Sequence, residues 1–233
     1  MTIQVYLIRH GVSEVNIKNP EIIGGRHLNA QLTSNGVKQS TLIGNRFKKE
    51  NINFDKIYTS PAVRAIKTAE IICNAIDYDS NKIKIIKALI EMSYGSCEGK
   101  LKSEVFDTLE KKRKYYENPD YKIASDAESY AECTDRAYNW LQKEIKSLIK
   151  DNKNYKICIV SHSKVLTGIY QKCLNHNLEY RRNVENFLNG SITRLDFLKN
   201  AIGGLYWREQ FKNDYSHLNG TSNSEDNLID FNS

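Results

Sequence analysis

A chain of 233 residues, 40% hydrophobic and 27% charged, has the length for one large domain with a sizeable core and the composition of an ordinary globular protein. Its net charge of +6 is mild for that length, and no apolar run approaches the roughly 20 residues that a membrane-spanning helix needs. Five scattered cysteines (Cys73, Cys97, Cys133, Cys158, Cys173) include no close pair spaced for zinc, so they read as reduced thiols of a cytoplasmic protein rather than a disulfide framework.

The sequence enters its first element at once, with no basic or apolar leader before it. Ile3, Val5, Tyr6, Leu7 and Ile8 predict a buried strand that carries Arg9 and His10 to the carboxyl edge of a sheet. Gly11 follows, where the backbone must turn. Residues 17–32, with Pro20, Gly24 and Gly25, read as a long loop, and Thr33 as the N-cap of a helix marked by Val37, Ile43 and Phe47 and ending near Glu50. Residues 56–59 form a short strand. Ser60 then reads as an N-cap with Pro61 in the first helical position. Ala62, Ala65, Ile66, Ala69, Ile72, Cys73 and Ile76 define an amphipathic helix, with Arg64 in its first turn but off the apolar stripe. A third strand is expected over 82–87, followed by Glu91 in the glycine-punctuated loop EMSYGSCEG.

Helices are expected over 102–116 and 127–149, with Asn118-Pro119 marking the break. The basic run 111–114 on the first of these reads as a solvated face; no interleaved aromatic platform or zinc-finger pattern argues for nucleic acid. Residues 156–161 are a continuous apolar strand that again ends in a histidine, His162, and Val165, Leu166, Ile169 and Cys173 continue as a helix. Residues 191–198 and 205–211 alternate as strands do. From Asn219 the chain is rich in Asn, Ser and Asp and reads as a mobile tail, leaving 1–218 as a single catalytic domain. Strands alternating with helices predict an α/β fold with a mainly parallel sheet.

In a parallel sheet the strand ends share one edge, so Arg9, His10, Arg64, Glu91 and His162 can converge there. Two arginines, two histidines and a carboxylate suit a phosphate, because guanidinium forks match its oxygens and stay charged at any working pH. His10, kept neutral by neighbouring cations, would attack phosphorus. Arg9, Arg64 and His162 would stabilise the equatorial oxygens, and Glu91 would protonate the leaving group and later activate water. Neither an acidic two-metal cluster nor a GxxxxGK[ST] loop is present, so neither a metal nor a cofactor is expected.

RHGVSEVN (9–16), GGRHLNAQLTSNGVKQS (24–40), TSPAVRAIKTAEII (59–72), EMSYGSCEG (91–99), AESYAECTDR (127–136) and IVSHSKVL (159–166) together resemble the histidine phosphatase superfamily, which includes cofactor-dependent phosphoglycerate mutases. The resemblance runs from residue 3 to about 218. It implies a three-layer α/β/α sandwich of the phosphoglycerate mutase type, with His10 as phosphorylated nucleophile and Glu91 as general acid. It also implies Arg9 and Asn16 on the substrate's phosphate, Arg64 as the second phosphate arginine and His162 as the second histidine, with the loop before Thr33, which holds Gly24, bordering the substrate. Ser163 and Lys164, next to His162, read as substrate-binding positions of this chain's own. Ser163-Lys164 departs from the small residue common after the second histidine; Lys164 either reaches an acidic substrate or faces solvent. Cys97 replaces a large aromatic and reads as a small packed residue. Only 71 residues separate Glu91 from His162, which resembles the shorter phosphatase branch, as do GSCEG and NDYSHL (213–218). The expected activity is metal-independent phosphomonoester hydrolysis of a phosphorylated small molecule or phosphoprotein. A bisphosphoglycerate-dependent mutase, or a weak phosphate-binding module, is the alternative. Neither a nucleic-acid nor a membrane partner is expected, and the oligomeric state is open, a homodimer included.

Overall fold

The computed structural model describes residues 1–17, 21–179 and 185–218, so Pro20 and the tail beyond 218 lie outside the described residues. In chain order the elements are β1 (Thr2–Arg9), α1 (Glu14–Ile17), α2 (Ser34–Lys49), β2 (Lys56–Thr59), α3 (Val63–Ala75), β3 (Lys84–Ile85), α4 (Lys102–Val105), α5 (Leu109–Glu117), α6 (Tyr130–Ile149), β4 (Tyr155–Ser161), α7 (Ser163–Cys173), β5 (Ile192–Lys199) and β6 (Leu205–Asp214). The strands form one sheet in the order β3-β2-β4-β1-β5-β6. The contacts β3–β2, β2–β4 and β4–β1 are parallel, whereas β5 runs antiparallel to both β1 and β6.

Strands buried on both faces need apolar residues at successive positions, and β1 over 5–8 and β4 over 157–160 supply them. Ile3, Val5, Leu7, Ile157 and Ile159 pack with α6 and α7 on one face. Tyr6, Ile8, Cys158 and Val160 pack with α2 and α3 on the other. The result is the expected three-layer sandwich.

Several local expectations are corrected. The helix after β2 begins at Val63, capped by Ala62 without a side-chain bond, so Pro61 is not its first residue. Val37 lies on the exposed face of α2. The third strand shrinks to Lys84–Ile85 between 3₁₀ turns at Ser80–Lys82 and Lys87–Leu89. The helix expected over 102–116 is two pieces, because Phe106 leaves helical geometry and Thr108 caps a new start by accepting from the Lys111 N–H. The helix expected from 127 starts at Tyr130, where Ser129 and Glu132 form a reciprocal capping box.

Candidate active site

β1 and β4 are neighbours, yet the chain leaves them toward opposite faces, to α2 and to α7. That divergence opens a crevice at their carboxyl ends, the place where open α/β sheets bind ligands. Arg9 pairs in register with Ser161, so His10 and His162 each stand one residue beyond their strand. Their ring centroids are 5.0 Å apart.

The partners of each imidazole fix its tautomer. His10 Nδ1 lies 2.7 Å from the Gly11 carbonyl oxygen, which can only accept, so Nδ1 carries the proton. Nε2 is therefore the acceptor, and Arg64 Nε–H donates to it at 3.1 Å. His162 has the opposite arrangement. Arg64 Nη2 donates to its Nδ1 at 3.2 Å, leaving Nε2–H to donate to Ser60 Oγ at 2.7 Å. Burial holds both imidazoles well below the ordinary histidine value, and the Arg64 charge pushes them further the same way.

Arg64, only 2% exposed, is held by the carbonyls of His27 (2.8 Å) and Arg26 (3.2 and 3.3 Å), so the 24–30 loop aims its guanidinium between the two rings. Arg9 Nη1 donates to the Phe187 carbonyl at 2.6 Å. Its Nε is buried without a hydrogen-bond partner among the described residues. Burial pushes Arg9 down to about 10, against the upward pull of the Glu91 carboxylate. Glu91 opposes the same burial effect on Arg64, so its charge acts on both guanidiniums. Glu91 Oε1 accepts from the Met92 N–H at 2.9 Å, and Ser161 Oγ donates to the Leu89 carbonyl, tying this segment to the end of β4.

The remaining expected positions are placed less centrally. Asn16 Oδ1 accepts from Ser13 N (3.0 Å) and Oγ (2.9 Å) and from Asn189 Nδ2 (3.4 Å), while Asn189 Nδ2 also donates to the His10 carbonyl at 2.9 Å. Asn16 thus braces the turn after the histidine. Gly24 lines a cavity of about 520 Å³ with, among others, Glu14, Ile23, His27 and Leu28; His10, Arg9, Arg64, Glu91 and His162 do not line it. Ser163 opens α7 beside His162, and Lys164 Nζ bonds Asn186 Oδ1 at 3.2 Å. Cys97 is buried, its thiol 3.8 Å from the Ile123 carbonyl. In NDYSHL, His217 Nε2 donates to the Gly190 carbonyl and Asn213 bonds Leu188 and Asn186, so this segment supports the 186–190 turn that receives Arg9.

Three groups of contributors escaped the sequence reading. Ser60 holds His162; Asn189 and the Phe187 carbonyl hold the residues at the end of β1; and Arg26, Glu128 and Arg136 surround the Glu91 backbone. Ser60, Arg26, Glu128 and Arg136 fall inside the blocks 59–72, 24–40 and 127–136, whereas Phe187 and Asn189 lie outside every block. All five cysteines are buried and unpaired. Among the described residues no group of three or more His, Cys, Asp or Glu side chains is placed to hold a metal ion, and no helix is long and apolar enough to cross a membrane.

Fold and site together define a class: α/β proteins that gather paired imidazoles and buried guanidiniums where the chain diverges at the carboxyl ends of neighbouring strands. The sequence model of the histidine phosphatase superfamily (branch 1) matches residues 5–210, and the chain belongs to that superfamily. A phosphoglycerate mutase of Candida albicans is 31% identical over 140 residues, which cover 58% of this chain and 55% of that protein. The chain spans about half the length of such curated relatives. Among solved structures, a mycobacterial glucosyl-3-phosphoglycerate phosphatase shares the fold with a TM-score of 0.77 at 17% identity, covering 91% of this chain and 99% of that one. A phosphoserine phosphatase variant of Entamoeba histolytica, bound to phosphoserine, gives a TM-score of 0.72 at 26% identity and covers 93% and 99% of the two chains.

Proposed function

We propose that the protein hydrolyses phosphomonoesters of small molecules through a phosphohistidine on His10. One observation carries the reading. His10 Nδ1–H is committed to the Gly11 carbonyl, so the Nε2 lone pair faces the guanidinium of Arg64 with the second imidazole beside it. A phosphate drawn between Arg9 and Arg64 takes over the donors now spent on Nε2 and on nothing, and places phosphorus against the lone pair. Glu91 takes the proton of a monoanionic phosphate ester as it binds; Nε2 then forms the P–N bond as the ester P–O bond breaks, and Glu91 passes that proton to the departing oxygen. Water then attacks the phosphohistidine, losing its proton to Glu91, and His10 leaves as the neutral imidazole it was. The arginines and His162 offset charge on the equatorial oxygens throughout.

Phosphatases among the structural relatives support water as the acceptor, as does the short stretch between Glu91 and His162. The mutase names of the curated relatives favour the second reading, transfer to a phosphoglycerate hydroxyl. Both readings use one intermediate, so two measurements are needed. Rapid quench into alkali is expected to trap an acid-labile phosphoryl adduct that His10→Ala lacks. Free phosphate is then expected to outpace any conversion of 3-phosphoglycerate, with or without 2,3-bisphosphoglycerate. No adduct and no turnover on a panel of phosphorylated metabolites would refute the proposal; bisphosphate-dependent conversion faster than phosphate release would replace it with the mutase.

A further inference from the structure

Beneath the Glu91 segment lies an ion-paired layer whose side chains make no hydrogen bond to His10 or His162 among the described residues, although the Arg136 charge is felt at His162. Arg136, from α6, forks onto Glu128 through Nε at 2.6 Å and Nη2 at 3.0 Å. Its remaining donors reach two backbone carbonyls, Ala88 through Nη1 at 2.7 Å and Glu91 itself through Nη2 at 3.1 Å. Glu128 accepts in addition from the Ser93 N–H at 3.1 Å and pairs with Arg26 Nη2 at 3.3 Å. Arg26 Nε donates to the same Glu91 carbonyl at 3.2 Å, while the Arg26 carbonyl receives Arg64.

Residues on both sides of Glu91, and Glu91 itself, are therefore pinned by side chains from a sequence-distant helix and from the loop that orients Arg64. Glu91 stands in a loop, without a ladder of backbone hydrogen bonds to fix it, and a general acid must be held within a fraction of an ångström of its target. Glu128 is kept below its ordinary value; burial would raise it, but the hydrogen bonds it accepts from Arg136 and the Ser93 N–H, with the Arg136 and Arg26 charges, together prevail. Arg136 stays above its ordinary value for the reciprocal reason, so both partners are charged at neutral pH. A planar fork that makes two parallel bonds to a carboxylate and two more to carbonyls cannot be reproduced by an ammonium.

We propose that Arg136 and Glu128 are positioning residues that set the place of the Glu91 carboxyl, with Arg26 coupling that place to the Arg64 clamp. This rests on the reading of Glu91 as general acid, and it makes a prediction that a merely structural ion pair does not. A 4-nitrophenolate departs without help, whereas an alkoxide needs a proton as it leaves. Misplacing the acid therefore penalises alkyl phosphates selectively.

The experiment compares kcat/KM for 4-nitrophenyl phosphate and for an alkyl phosphate in the full-length protein, its Arg136→Met and Arg136→Lys variants, Glu91→Gln, and the double variant Arg136→Met/Glu91→Gln. Expected are a loss on the alkyl ester at least roughly tenfold greater than on the nitrophenyl ester for Arg136→Met, within the 10²–10⁴-fold range of general-acid catalysis, the same selectivity for Glu91→Gln, and no added selectivity in the double variant. Should Arg136→Met fail to fold, Arg136→Lys keeps charge and most of the volume and carries the same comparison. Equal losses on both esters from Arg136 variants, with Glu91→Gln still selective, would overturn the positioning role and leave the general acid standing. Equal losses from Glu91→Gln would overturn the general acid and this inference with it.

Discussion

Three of the four ring nitrogens of His10 and His162 meet a group that can only donate or only accept, which dictates both neutral tautomers, and the fourth meets the Ser60 hydroxyl. The least replaceable of these neighbours is Ser60. Its hydroxyl takes the only proton His162 has to give and also accepts from the Ala62 N–H. Ser60→Ala leaves a buried N–H unpaired, which costs about 1–3 kcal/mol. It also frees the ring to turn away from Arg64. We expect a melting temperature lowered by several degrees and kcat lowered about tenfold or more, with KM less affected; an unchanged kcat would remove His162 orientation from the account. Ser60 was legible as a polar residue after a strand, but Ser-Pro is also how helices begin, and local sequence alone cannot separate the two roles. Arg9, His10, Arg64, Glu91 and His162 were legible because each follows a strand closely. Asn189 was not, and Arg136 was legible only as part of the 127–136 block and not in its role, because they act from 179 and 45 residues away on backbone atoms that carry no sequence signature.

Among the elements, α2 is set against the turn after β1 more closely than side chains allow. A Cβ on Gly36 would lie 2.0 Å from the Val12 carbonyl oxygen, and one on Gly11 would lie 2.3 Å from the Gly36 carbonyl oxygen. This approach lets Gln39 Oε1 accept from the Val12 N–H and Thr33 Oγ1 donate to the Val12 carbonyl, so the turn that positions His10 is bolted to the start of the helix. Both clashes involve backbone, which cannot rotate away. Gly36→Ala is thus expected to destabilise by about 1–3 kcal/mol, as overpacking does, and to depress activity further by shifting His10; calorimetry and a nitrophenyl phosphate assay on one preparation check both. Wild-type activity would show that the turn does not need this contact. The long helices and central strands were legible from their periodicity. The edge strand β3 was legible in place but not in extent, because its lysine-rich alternation fits an exposed edge and a 3₁₀ connection equally well, and the structure uses both. The break at Thr108 had a signal, a capping residue inside a helical pattern, that the charged run after it obscured.

Across the whole molecule, three imidazoles are held neutral: His10 and His162, which are buried, and His217, which is half-buried. His217 accepts from Arg46 and donates to the Gly190 carbonyl, and burial, with the Arg46 charge, takes it down to about 4. In the unfolded chain each titrates near 6.5. Between the folded values and about 6.5 the unfolded state therefore binds more protons. Stability is fully present above that pH and is lost as pH falls through it, by at most about 1.4 kcal/mol per pH unit for each imidazole. Carboxylates held low, such as Asp214 at about 2, make their own demand only in more acid solution. Urea midpoints are thus expected to drop between pH 7 and pH 5. Inorganic phosphate between Arg9 and Arg64 would favour protonated His10 and His162, and should flatten most of that slope while leaving the share of His217. His217→Gln, whose amide can accept from Arg46 and donate to Gly190 without titrating, should remove the remainder. Equal midpoints at the two pH values would mean that the buried histidines are not neutral. A slope that phosphate leaves untouched would mean that the anion does not sit beside His10.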